Sequence, residues 1–272
     1  MSGDTSHRSP QPSPDSSTHP SPRTLDRRTV LRGAATVAGG TLLGVAATPT
    51  AATAVAAPRA YTRADWNARP PTTAATVLNR APDRIVVHHT ASANSTDYSL
   101  AHAYALSRSI QAHHMDTNGW ADTGQQLTIS RGGHLMEGRN RSLQAIGAGD
   151  HVVGAHTASH NDHTIGIENE GLYMTAAPTA ALWDTLVETC AWLCDVYGLS
   201  PGTAIVGHRD FNATACPGDV LYARLPDLRN AVAARLGTAP VHATAAPVPN
   251  GHPGPRHPFD HGPGFGPGDP AP

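Results

Sequence analysis

Proline is the feature that most constrains this chain, because it is so unevenly placed. Of 24 Pro in 272 residues, five fall in residues 1–26 and ten in residues 238–272. Only nine are left for the 211 residues between, and a chain that must build helices and strands can tolerate that many only at caps, turns and edges. Six Gly accompany the ten C-terminal Pro. The sequence therefore predicts three parts: a leader over 1–56, a folded domain over 59–237, and a disordered Pro/Gly/His-rich tail over 238–272.

The leader has an internal order of its own. Residues 1–26 are rich in Ser and Pro. Asp26-Arg27-Arg28-Thr29-Val30-Leu31-Arg32 follows, then a mildly apolar run from Gly33 to Ala47, then the small-residue exit Ala54-Val55-Ala56. This is the layout of an export signal, and the paired arginines match the twin-arginine type. The apolar run is interrupted by Gly and is shorter than a membrane span requires, so no stable membrane insertion is expected after cleavage. The expected location is outside the cell or in the cell wall.

Charge narrows the partners. All 19 basic residues are Arg, against 21 acidic ones, with no basic run in the centre. A nucleic-acid groove is not expected, and no lysine exists to serve as nucleophile or Schiff base. The 17 His are distinctive: eleven lie in residues 88–208. Four more (His242, His252, His257 and His261) lie in the tail without fixed spacing and read as solvated residues. Three Cys allow at most one disulfide. Cys190 and Cys194, four apart on a predicted helix, fit disulfide geometry poorly and read as free buried thiols.

Periodicity within the domain predicts an α/β fold, with a mixed central β-sheet flanked by helices. A short Thr-capped helix is expected at 62–66, with longer helices at 97–115, 179–197 and 221–236. Strands are expected at 84–88, 152–155, 164–168 and 204–207, and a hairpin pairs 125–130 with 134–138 around Arg131-Gly132-Gly133.

Two segments carry metal-type chemistry. Val86-Val87-His88-His89-Thr90 is a strand ending in histidine. Gly207-His208 closes another strand, and Cys216-Pro217-Gly218 follows in a loop. Imidazole and thiolate suit Zn²⁺, and three protein ligands would leave a fourth position for water. Read from spacing alone, a packed core histidine and an inert buried cysteine remain open.

These segments resemble the motifs of the type 2 N-acetylmuramoyl-L-alanine amidases, the group that includes the peptidoglycan recognition proteins. The resemblance extends through Thr62-Arg63-Ala64-Asp65-Trp66, His114-Met115-Asp116, and Gly119-Trp120-Ala121-Asp122-Thr123-Gly124. It continues through Glu137-Gly138-Arg139, Gly154-Ala155-His156 with Asn161, and Ile165-Gly166-Ile167-Glu168. It implies that His88, His208 and Cys216 bind zinc and that His156 and Asn161 contact substrate. The implied partner is peptidoglycan, both glycan strand and stem peptide. The implied reaction is hydrolysis of the amide between N-acetylmuramic acid and L-alanine. Members of that group that bind without cutting typically lack the cysteine, so Cys216 favours an enzyme.

Two departures from the pattern matter. Gln125 stands where many members carry a Tyr, and glutamine cannot exchange a proton. Glu168 is the expected substitute base, ahead of Glu170 on the same strand face. Thr214 stands where some members carry a Lys, and is expected to donate a neutral hydrogen bond to the oxyanion. His89 should face away from its neighbour His88, and His114 should cap or pack. Asp210 is expected to orient a neighbouring group or form a turn. The alternative reading is a peptidoglycan-binding module with little or no turnover, which the missing Tyr favours.

Overall fold

The computed structural model describes residues 54–241, 254–255 and 257–264. The leader expected over 1–56 therefore lies outside the described residues up to position 53.

The elements run β1 (Ala60–Tyr61), β2 (Val77–Leu78), β3 (Arg84–His89), α1 (Leu100–Ala112) and a π-helical turn (His113–Thr117). Next come β4 (Leu127–Ile129), β5 (Leu135–Glu137), α2 (Ser142–Ala148), β6 (His151–Val152) and β7 (Thr164–Asn169). The domain closes with α3 (Ala180–Tyr197), α4 (Pro201–Ala204), β8 (Ile205–Gly207), a 3₁₀ turn (His208–Asp210), α5 (Asp219–Ala223) and α6 (Leu225–Arg235).

Six strands form one sheet in the order β1-β5-β4-β7-β3-β8, and β2 pairs with β6 apart from it. β4, β7, β3 and β8 run parallel, while β5 returns antiparallel as the hairpin partner of β4. The sheet is mixed, as expected. Ile85, Val86 and Val87 of β3 are fully buried, which is the signature of a central parallel strand covered on both faces. One face carries α3 and α6, whose Leu182, Leu186, Leu228 and Val232 pack with Ile85, Ile129 and Leu135. On the other face Met136, one residue along from Leu135, packs with Ala103 of α1 and Trp66.

The helix signals fall where the caps place them. Ser99 Oγ accepts from His102 N–H at 3.2 Å, and Thr179 Oγ1 accepts from Leu182 N–H at 3.2 Å. Gly198 ends α3 at φ +65°, a conformation that costs glycine little. Cys190 and Cys194 are free and buried on α3.

Three expectations are corrected. Residues 62–66 form a hydrogen-bonded turn, not a helix: Asp65 accepts from Thr62 N at 2.7 Å and from Thr62 Oγ1 at 2.8 Å. Five residues add too few ladder bonds to offset nucleation. The helix expected over 221–236 is two, α5 and α6. Pro226 has no N–H for the Tyr222 carbonyl and is accommodated only in the first turn of a new helix. The helix at 97–115 starts later, after Ser99, and runs on as a π turn to Thr117. Helix α2 carried no recognisable start signal: it follows Arg141 at φ +71°, with no side-chain cap.

Candidate metal centre

Parallel strands put their carboxyl ends on one edge, and the candidate residues gather there. In register, His88 of β3 lies beside Glu168 of β7, and Glu168 lies beside Thr128 of β4. Registered neighbours project from the same face, so His88 and Glu168 meet because the strands pair this way. His208 arrives from the next strand, as the first residue after β8, which flanks β3 on its other side. Cys216 is delivered by the loop that follows. Arg209 braces that loop, donating to the Ala215 carbonyl, to the Cys216 carbonyl at 3.3 Å and to Asp219 at 2.8 Å. Asp210 fixes its entry, accepting from Gly207 N–H at 2.8 Å and from the Tyr222 hydroxyl at 2.5 Å.

The three residues expected to bind metal therefore converge, and all are fully buried. His88 turns Nε2 outward to His156 Nδ1 at 3.0 Å and keeps Nδ1 3.6 Å from Cys216 Sγ. His208 turns Nε2 to Asn212 Oδ1 and to the Pro263 carbonyl, both at 3.0 Å, and its Nδ1 has no hydrogen-bond partner among the described residues. Fixing one ring nitrogen outward so that the other faces inward is how proteins orient imidazole ligands. Cys216 Sγ accepts the His89 N–H at 3.4 Å and lies 3.6 Å from His88 Nδ1.

Burial decides the protonation states. It pushes His88 well below the usual imidazole value, helped by the neighbouring His208, and takes His208 down to about 3, helped by His261. Both rings are thus neutral and ready to donate a lone pair. Burial pushes the Cys216 thiol up, so this thiol surrenders its proton only to a strong electrophile such as a metal ion. Two neutral imidazoles, each with one nitrogen turned inward, and one thiol are a donor set that fits zinc.

A fourth residue completes the group, and the sequence did not point to it. His88, His208, Cys216 and His261 hold their ligand atoms within 4.8 Å of one another. His261, from the tail read as solvated, is 3% exposed. Its Nε2 lies 2.8 Å from Glu168 Oε1, and its Nδ1 has no hydrogen-bond partner among the described residues. His114, Glu168 and His261 form a second such group. The His114 ring lies 4.7 Å from that of Trp120, and its Nδ1 accepts the Gly124 N–H at 3.0 Å.

The two glutamates separate cleanly. Glu168 is fully buried, and among the described residues neither carboxylate oxygen has a well-formed hydrogen bond. Glu170 is consumed elsewhere, by His102 at 2.6 Å and by the Arg131 N–H at 2.7 Å. Thr214 donates its hydroxyl to the His261 carbonyl at 2.7 Å and accepts the Cys216 N–H at 3.0 Å. Asn161 is buried; its Oδ1 accepts the His156 and Thr157 N–H groups at 2.8 and 3.0 Å, and its Nδ2 donates to the Gly264 carbonyl at 3.1 Å. His156 does not face the cleft. It is fully buried behind His88, its Nδ1 3.0 Å from His88 Nε2 and its Nε2 3.2 Å from the Thr164 carbonyl. Gln125 is buried and donates to Thr128 Oγ1 at 2.8 Å. Asp122 of the Trp-x-Asp motif is structural: it accepts from Gln111, twice from Asn140, and pairs with Arg63 at 3.1 Å.

The sequence model described as N-acetylmuramoyl-L-alanine amidase matches residues 78–219, which span β2 through the cysteine loop. The chain belongs to that amidase family. Among its relatives, the human N-acetylmuramoyl-L-alanine amidase is 34% identical over 168 residues, 61% of this chain and 27% of the human protein. Peptidoglycan-recognition protein LB of Drosophila melanogaster is 30% identical over 200 residues, 73% of this chain and 81% of that protein. The chain thus spans about a quarter of the length of the human and pig amidases that it matches, 27% and 26% respectively. Among solved structures, wild-type Drosophila recognition protein LB superposes with a TM-score of 0.54 at 25% identity, over 68% of this chain and 99% of that one. Drosophila recognition protein SD gives 0.53 at 30% identity, over 62% and 92%. A mutant of recognition protein LB, solved in complex with tracheal cytotoxin, gives 0.52 at 27% identity, over 60% and 89%. The family spans amidases and recognition proteins. Among the described residues of this amidase-family chain, no helix is long and apolar enough to cross a membrane.

Proposed function

We propose that the protein is an exported, zinc-dependent N-acetylmuramoyl-L-alanine amidase that cuts peptidoglycan between N-acetylmuramic acid and L-alanine. The observation that carries this reading is Cys216, buried beside His88 and His208, with the buried carboxylate of Glu168 in register with His88 and 2.8 Å from His261. A zinc ion held by His88, His208 and Cys216 would polarise the scissile carbonyl and make water nucleophilic near neutral pH.

The side chains supply the rest. Glu168 takes the proton of the attacking water on a carboxylate oxygen as the water adds to the carbonyl carbon. It then delivers that proton to the L-alanine nitrogen as the C–N bond breaks, so one group serves as base and then as acid. Thr214 donates its hydroxyl to the oxygen that becomes negative, in the direction in which it already donates to a carbonyl. Asn161 holds the stem peptide through Nδ2, and His156 keeps the His88 ring in place. Export follows from the twin-arginine pattern of residues 26–32.

One observation favours a binding-only module: Gln125, where a proton-exchanging Tyr is common in the family. Metal analysis tests the catalytic reading first. The full chain should hold one zinc, and Cys216→Ser should lose zinc and cleavage together. A Cys216→Ser variant with full activity overturns the assignment.

A further inference from the structure

We infer that residues 257–264 form an autoinhibitory strap, with His261 placed to take the fourth metal position that a substrate-activating water would need. The inference rests on the zinc reading above and extends it to regulation.

The strap is docked along the cleft by its backbone. Phe259 N–H donates to the Thr90 carbonyl at 2.9 Å. The Pro263 carbonyl accepts from Ala158 N–H at 3.2 Å and lies 3.0 Å from His208 Nε2. The Gly264 carbonyl accepts from Asn161, and the His261 carbonyl accepts from Thr214. These are the contacts an extended peptide makes, and they engage the residues assigned to substrate. A cavity lies on each side of the strap, of about 400 Å³ beside Thr214 and Cys216 and about 290 Å³ beside Trp120 and His113, so it divides one trough in two.

His261 occupies what lies between. Three protein ligands with an open position make a catalytic zinc site, whereas four protein ligands make a closed one. With His261 in place the donor set is closed, and the same ring meets Glu168 at 2.8 Å. The strap thereby engages the open metal position, the base and the oxyanion donor at once. Its close fit is visible at Gly262, at φ +109°, where an added Cβ would lie 2.7 Å from Thr214 Cβ. A tethered segment acts at high effective concentration, so peptidoglycan reaches the site only after the strap leaves.

Cobalt(II) alone, loaded into the full-length chain, is the probe. Acetohydroxamate, which chelates a metal at an open position, is titrated in while the visible spectrum is read. Little change is expected in the parent chain. His261→Ala should respond at least about tenfold more sensitively, and so should Gly262→Val, which acts on the strap without touching the metal ligands. Both variants should also co-sediment at least about tenfold more strongly with purified sacculi, a readout independent of turnover. Equal response and equal sedimentation in all three chains would overturn the strap and leave the zinc reading intact. Failure of the parent chain to take up stoichiometric cobalt would overturn the zinc reading itself, and the strap with it.

Discussion

Replacing Glu168 by Gln probes the chemistry with little structural disturbance. The side chain is fully buried and the substitution keeps its volume, so no cavity opens. Glu168 lies outside the group of His88, His208, Cys216 and His261, so zinc content should stay at one per chain. Its ion-pair contact is with His261 Nε2 at 2.8 Å, which an amide oxygen can also meet, so melting should shift by no more than a few degrees. The rate should fall much further. An amide cannot accept the water's proton, and a positioned general base contributes roughly 10²–10⁴ in rate, or about 3–5 kcal/mol of barrier. The assay is release of new L-alanine N-termini from sacculi, run in the Gly262→Val background so that the strap does not limit the signal. Turnover within a factor of ten of the parent at full zinc occupancy would refute the assignment of Glu168. Glu170→Gln is the control: it loses contacts with His102 and Arg131 and should lower stability while sparing the chemical step.

Three further outcomes are expected. Thr214→Val should slow turnover by about tenfold or more, the loss of one neutral oxyanion donor, with zinc retained; unchanged kinetics would remove Thr214 from the mechanism. Asp122→Ala should cost about 3–5 kcal/mol in urea unfolding, because Arg63 and the Gln111 and Asn140 donors are left buried without their acceptor. The metal-free protein should lose stability in acid. His88, His89 and His208 have folded values below the unfolded 6.5, the last two near 3, so the unfolded chain binds more protons between those limits. Stability is therefore present above about 6.5 and declines as pH falls toward 3, which urea midpoints at several pH values will show.

The parts of the fold that were legible in sequence are those where local and tertiary signals agree. Ile85-Val86-Val87 could only be a central strand, and Thr179 and Gly198 bracket α3 as caps should. His88, His208 and Cys216 were legible because strand ends and a Pro-fixed loop place them. Local rules could not arbitrate between Glu168 and Glu170, since period-2 alternation puts both on one face. The contacts that engage Glu170, with His102 and the Arg131 N–H, come from α1 and the β4–β5 hairpin, far along the chain. His261 was beyond reach for a different reason. A Pro/Gly-rich segment has no hydrophobic period to set its register, and docking through backbone carbonyls leaves no mark in residue identity. The ring contacts of His156 were not legible either, because a motif position does not say which way a ring turns.

The most direct test of the account is digestion of purified sacculi by zinc-loaded full chain and by Gly262→Val, each with and without a chelator. The account predicts free L-alanine N-termini from Gly262→Val, less from the full chain, and none from either after chelation. Zinc-loaded Gly262→Val that binds sacculi yet releases no L-alanine termini, or release that survives chelation, would contradict it.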